Sequence, residues 1–237
     1  MTRYDFTTQP NRLNQNTMKW HEAESDPELL ELWVADMDFL PVPEIRDAVI
    51  NYAETHIFGY PYPSEELYQS IINWEKNQHG YVVDKESIVL IEGVVPAIST
   101  AIQAFTKEGD AVLINTPVYP LFTRSVRLNN RQLIENSLVK VNGHFEIDFE
   151  QLERDIVEND VKLYVFCSPH NPGGRVWTKE ELTKVADLCQ KHGVLLVSDE
   201  IHQDLALFGN KHISMNTISD AYKDFTLVLS SATKTFN

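Results

Sequence analysis

Short unbroken apolar runs alternate with stretches of helical spacing along most of the chain beyond residue 87. Residues 87–91, 111–115, 131–136, 163–167 and 194–197 read as strands, and 225–229 has the same character. Between them, 95–107, 120–128, 148–158 and 178–192 carry their apolar residues at helical intervals. Strands without polar alternation are covered on both faces, and strand–helix alternation builds parallel sheets through right-handed crossovers. The pattern predicts an α/β fold: three αβα layers around a mostly parallel sheet.

The first forty-odd residues lack this rhythm. Gln9-Pro10-Asn11-Arg12-Leu13-Asn14-Gln15-Asn16 is polar, and the run Leu30-Glu31-Leu32-Trp33-Val34-Ala35 leads directly into Asp36-Met37-Asp38-Phe39. An arm and a loop are expected here. Helical spacing begins at 44–56 and returns at 64–78, where Ser64 is placed to cap and Glu65 and Glu66 to favour the first turn. The aromatic turn Phe58-Gly59-Tyr60-Pro61-Tyr62-Pro63 separates the two.

Composition narrows the function classes. The 237 residues are 43% hydrophobic, enough for a sizeable core, and the formal charge is −15. With no basic tract to neutralise phosphates, neither a nucleic acid nor an anionic membrane is expected as a partner. The first residues lack an apolar leader and no stretch has the length of a span, so the cytoplasm is the expected location. Cys167 and Cys189 are expected to be reduced packing residues.

In an open α/β sheet, ligands sit beyond the carboxyl ends of the strands. Glu92-Gly93-Val94-Val95 follows the first apolar run; it is either an ordinary turn or a helix start whose N–H groups and dipole hold a phosphate. Tyr119 follows the second, as a packed tyrosine or as a ring that stacks on a flat cofactor. Ser168-Pro169-His170-Asn171-Pro172-Gly173-Gly174 is a more specific string: its prolines fix the turn and its glycines permit unusual backbone angles around Asn171. Ser198-Asp199-Glu200-Ile201-His202 offers acids and a histidine, but no second histidine stands at ligand spacing, so no metal is expected. An aspartate at a strand end can instead face a pyridinium nitrogen, with a donor three residues on reaching the ring oxygen. Last comes Ser231-Ala232-Thr233-Lys234: an amine able to form a Schiff base, preceded by hydroxyls able to bind a phosphate. An aldehyde bearing a phosphate is what pyridoxal phosphate (PLP) offers.

Asn171-Pro172-Gly173-Gly174, Asp199-Glu200-Ile201-His202 and Ser231-Ala232-Thr233-Lys234, in that order, resemble the fold-type I PLP enzymes of the aminotransferase superfamily. Asp36-Met37-Asp38-Phe39, Phe58-Gly59-Tyr60, Val176-Trp177-Thr178 and Lys234-Thr235-Phe236-Asn237 narrow the resemblance to the MalY/PatB-type cystathionine β-lyases, or C–S lyases. The resemblance implies an arm and part of a small domain in residues 1–45 and a PLP-binding large domain in 46–237. It implies that Lys234 holds PLP and later shuttles the substrate's α-proton. Asp199 would pair with the pyridinium nitrogen, Asn171 and His202 would contact the phenolic oxygen, and Tyr119 would stack on the ring. Val94, Val95, Ser231 and Thr233 would bind the phosphate. Tyr60 would reach the phosphate of a neighbouring subunit, which implies a homodimer. Gly173 stands where the family often has threonine. The family's C-terminal segment, with its carboxylate-binding arginine and most of the small domain, is missing, so the chain is expected to be a fragment or an incomplete enzyme.

The function so implied is cleavage of L-cystathionine or related cysteine S-conjugates to thiol, pyruvate and ammonia through an external aldimine. Two alternatives share the same residues: a class I/II aminotransferase, and a partner-binding regulatory protein with incidental lyase activity.

Overall fold

The computed structural model describes residues 4–13, 15–26 and 28–237. Met1–Arg3, Asn14 and Pro27, part of the expected arm, lie outside the described residues. Two compact units divide the chain: one runs up to Tyr62 and takes in Ala232–Asn237, and the other is Pro63–Ser231.

Among the described residues of the first unit there is one α-helix, α1 (Pro43–Thr55), which starts on a proline and buries none of its residues. The described residues before it are irregular apart from a short 3₁₀ turn, Glu22–Glu24. Its Asp36-Met37-Asp38 turn is held by Arg12 and Lys19.

The second unit opens with α2 (Glu65–Trp74), whose N-terminus is capped by the Ser64 hydroxyl accepting the Leu67 N–H at 3.2 Å. After Trp74 the helix widens into a π turn, Glu75–His79, and stops at Gly80 with φ 68°. Then follow α3 (Val94–Phe105), β1 (Ala111–Thr116), α4 (Pro120–Leu128), β2 (Gln132–Ser137), the strands β3 (Val139–Val141) and β4 (His144–Glu146), α5 (Phe149–Glu158), β5 (Leu163–Cys167), α6 (Lys179–His192), β6 (Leu195–Asp199) and β7 (Thr226–Leu229). Helix α5 is capped by Asp148 and α6 by the reciprocal Thr178–Glu181 box, with Gly193 in the left-handed region ending α6.

Five parallel strands lie in the order β2-β1-β5-β6-β7. Alternate residues face opposite layers. Leu113, Tyr164, Phe166 and Leu196 pack with Leu152 and Ile156 of α5 and Leu182, Val185 and Cys189 of α6. Val112, Ile114, Val165 and Val197 pack with Ile98 and Ile102 of α3 and Phe122 and Val126 of α4. The expected three layers are present, and each fully buried large side chain stabilises them by about 1.5–3 kcal/mol.

Two local readings are corrected. Residues 87–91 do not form a strand: after a 3₁₀ turn, Lys85–Ser87, the chain is irregular, and Val89 is 83% exposed. An apolar run becomes a strand only where a neighbour takes its backbone groups, and none of the described strands pairs with it. Conversely, β3 and β4 form a hairpin that the pattern did not predict. Asn142 and Gly143, with φ 49° and 86°, make its two-residue turn. No helix among the described residues is long and apolar enough to cross a membrane.

Candidate functional site

Strand β1 is followed in the sheet by β2 on one side, whereas β5, β6 and β7 extend on the other. The strand order therefore reverses between β1 and β5, the place where open α/β sheets hold ligands. Asp199 ends β6, and the loops leaving β1, β5, β6 and β7 carry Tyr119, Asn171, His202 and Ser231 at the same end of the sheet. Tyr119 stands just before α4, 41% exposed, its ring edge-on to Phe122 at 6.5 Å. The Ser168 N–H donates to the Asp199 carbonyl at 2.9 Å, tying the β5 loop to the end of β6.

Asp199 is 5% exposed, and its Oδ1 accepts the Ile201 N–H at 3.1 Å. Burial raises its pKa to about 6, the backbone hydrogen bond only partly opposing this and the charge of Glu200 adding to it. A carboxylate so desolvated gains from a cation at its free oxygen. Val94 and Val95 are the first residues of α3, after Gly93, which has φ 108° and no capping side chain. The first N–H groups of α3 thus have no side-chain cap, a setting suited to an anion.

The Asn-Pro-Gly-Gly turn is held by backbone bonds from His170 N to Arg175 O (2.8 Å) and from Gly174 N to His170 O (2.9 Å). Gly174 uses the left-handed region, φ 63°, but Gly173 does not. This corrects the reading that both glycines serve unusual angles. A Cβ on Gly173 would lie 2.6 Å from Nδ1 of His170, the atom that accepts the Gly173 N–H at 3.2 Å. Close approach is what requires glycine there. Burial and the Arg175 charge lower the His170 pKa to about 4, so its ring is neutral near pH 7.

Sequence patterns missed the buried polar frame behind Asp199. Glu200, wholly buried, accepts from Ser198 Oγ (3.0 Å) and the Met215 N–H (2.9 Å) on one oxygen and meets His212 Nε2 at 2.9 Å on the other. Gln203 donates to Glu75 (2.7 Å) and Ser230 (2.8 Å), and Asp204 meets His79 (2.7 Å) and Trp74 (3.1 Å). The adjacency of Glu200 to Asp199 was the only signal; its partners at 212 and 215 follow no spacing rule.

Lys234, Thr233 and Tyr60 belong to the other unit. Lys234 sits half-buried in a turn whose Ala232 carbonyl accepts the N–H groups of Thr235 (3.2 Å) and Phe236 (2.9 Å). Thr233 is exposed, and Tyr60 wholly so.

Within the Pro63–Ser231 unit, a desolvated carboxylate and a helix start without a side-chain cap suit the ring nitrogen and the phosphate of PLP; in the other unit, the lysine amine is of the type that binds its aldehyde. The chain matches the profile of aminotransferase class I and II over residues 27–237 and belongs to that family. Within it the chain is similar to the cystathionine beta-lyase PatB of Bacillus subtilis, 40% identical over 98% of this chain and 61% of the relative. Protein MalY of Escherichia coli is 34% identical over 89% of this chain and 53% of its own length. The crystal structure of cystalysin from Treponema denticola, which contains pyridoxal 5'-phosphate, superposes with a TM-score of 0.93 at 38% identity, over 99% of this chain and 61% of that one. The chain thus spans roughly three fifths or less of the length of these relatives.

Proposed function

We propose that the whole protein is a PLP-dependent carbon–sulfur β-lyase acting on L-cystathionine or related cysteine S-conjugates. The similarity to PatB over 98% of the chain carries this reading. The buried strand-end aspartate, with its raised pKa, agrees with it.

Bound PLP supplies an electron sink for the carbanion formed at the substrate's Cα. With PLP bound, Lys234 Nζ would hold the cofactor and would take the substrate's Cα proton as general base. Asp199, whose burial raises its pKa to about 6, would face the ring nitrogen and keep a proton there. Asn171 and His202 would donate to the phenolic oxygen, and Tyr119 would stack on the ring. Val94 and Val95 N–H groups, with the Ser231 and Thr233 hydroxyls, would bind the phosphate. Loss of the Cβ–S bond releases a thiol, and hydrolysis of the remaining fragment gives pyruvate and ammonia. We further propose a cytoplasmic homodimer with Tyr60 completing the neighbour's phosphate site, and neither nucleic acid nor membrane as a partner.

Borohydride reduction with PLP, followed by peptide mapping, tests the cofactor role. An adduct at Lys234, lost in Lys234→Ala, is expected; its absence in the full-length protein sinks the proposal. Pyruvate released from cystathionine without a keto-acid acceptor distinguishes the lyase from an aminotransferase, which the family membership also accommodates. Strict dependence on an acceptor selects the aminotransferase.

A further inference from the structure

Two strings that the proposed chemistry leaves without a role meet in the structure. Met37 and Asn237 stand 200 positions apart, and the Met37 N–H donates to Asn237 Oδ1 at 3.0 Å. The Asn237 amide donates back to the Met37 carbonyl at 3.5 Å. A side-chain amide here pairs with a peptide unit as a neighbouring strand would, using both its donor and its acceptor.

The surface on which Asn237 rests is itself fixed. Arg12 forks around the turn, donating to Asp38 at 2.6 Å, to Asp36 at 2.5 Å and to the Met37 carbonyl at 3.2 Å. Lys19 reaches Asp38 at 2.7 Å and the Asp36 carbonyl at 2.9 Å, and the Trp20 N–H adds a bond to Asp38 at 3.0 Å. The Arg12 and Lys19 side chains are only 14% and 7% exposed. A planar guanidinium held by two carboxylates has little freedom to swing.

Lys234 therefore lies in a turn secured on both sides. Before it, Ala232 accepts the N–H groups of Thr235 and Phe236; after it, Asn237 docks on Met37. A lysine amine on a flexible four-carbon stem is placed only as well as its Cα is placed, and small displacements of a reacting group are costly to rate.

We propose that Asn237, seated on the Met37 turn that Arg12 and Lys19 brace, is a positioning residue for Lys234. The N-terminal segment thereby sets the geometry of the turn that carries the amine. The proposal rests on Lys234 being the cofactor lysine.

The test uses the full-length protein loaded with PLP, comparing wild type, Asn237→Asp and Asn237→Ala. The aspartate keeps the acceptor for the Met37 N–H, whereas the alanine keeps neither contact. Two readouts are followed: amide exchange in 231–237, and the pH midpoint of the visible band of the lysine-bound cofactor. In Asn237→Ala, exchange at Thr235 and Phe236 is expected to quicken about tenfold. The midpoint is expected to move by about half a pH unit or more, with Asn237→Asp between the two. An unmoved midpoint and unchanged exchange in Asn237→Ala, even with a lowered melting temperature, overturn the proposal. If that variant does not fold, an unmoved midpoint in Asn237→Asp overturns it equally. Absence of a borohydride adduct on Lys234 in the wild type would instead defeat the cofactor reading itself, so the two failures are told apart.

Discussion

Leu113, Tyr164 and Phe166 expose none of their surface, whereas Leu32 and Ile57 are 88% and 93% exposed. The first group belongs to the parallel sheet and the second to the stretch ending at Tyr62, where α1 buries nothing. Apolar content is therefore not what separates the two regions. The sheet residues recur at alternating positions on neighbouring strands and fill both faces, so burial orders them. The N-terminal stretch is ordered instead at one turn, by Arg12, Lys19, Asp36 and Asp38. Charge geometry does there what side-chain volume does in the sheet.

The comparison breaks most sharply in the core. Phe166→Ala is expected to cost about 3–5 kcal/mol in urea unfolding, the toll of deleting a fully buried aromatic ring; a loss below about 1 kcal/mol would show that the layers close over the gap. Next is Asp199→Asn. The folded-state pKa is raised to about 6 from an ordinary 3.8, so the wild type loses stability as pH climbs between those values. Without PLP the asparagine variant should be more stable by about 3 kcal/mol at pH 7 and indistinguishable below pH 4, which unfolding across pH measures. With PLP its turnover should fall by about 10²–10³. Thr178→Ala removes half of a capping box and should cost about 1 kcal/mol by thermal melting. Leu32→Ala and Ile57→Ala should change stability by less than about 0.5 kcal/mol in the same experiment; a larger loss would show that this stretch is packed after all.

Sheet and helices were legible because each is written locally: β5 and α4 fall on the residues that periodicity chose. Residues 87–91 misled because an apolar run states a capacity for strand, while pairing depends on a neighbour elsewhere in the chain. The Asn142-Gly143 turn does carry a local signature, since that dipeptide favours the positive φ angles both residues adopt. At the candidate site, the residues just after each strand were visible as strings. The buried polar network around the neighbouring Glu200 was not, since Glu200, His212 and Met215 converge only through the fold. Likewise, glycine at 173 followed from a ring beside it and not from its own backbone angle.

The reversal of strand order between β1 and β5 also governs the route by which the protein folds. Strands β1 and β2 are joined through the single helix α4, so their ladder closes over a short loop, but Val112 meets Leu163 only after about fifty intervening residues are drawn in. Pairings distant in sequence form slowly. During synthesis the β1–β2 half can assemble while β5, β6 and β7 are still being made. The β1–β5 pairing, at the point where the strand order reverses, is accordingly expected to close late.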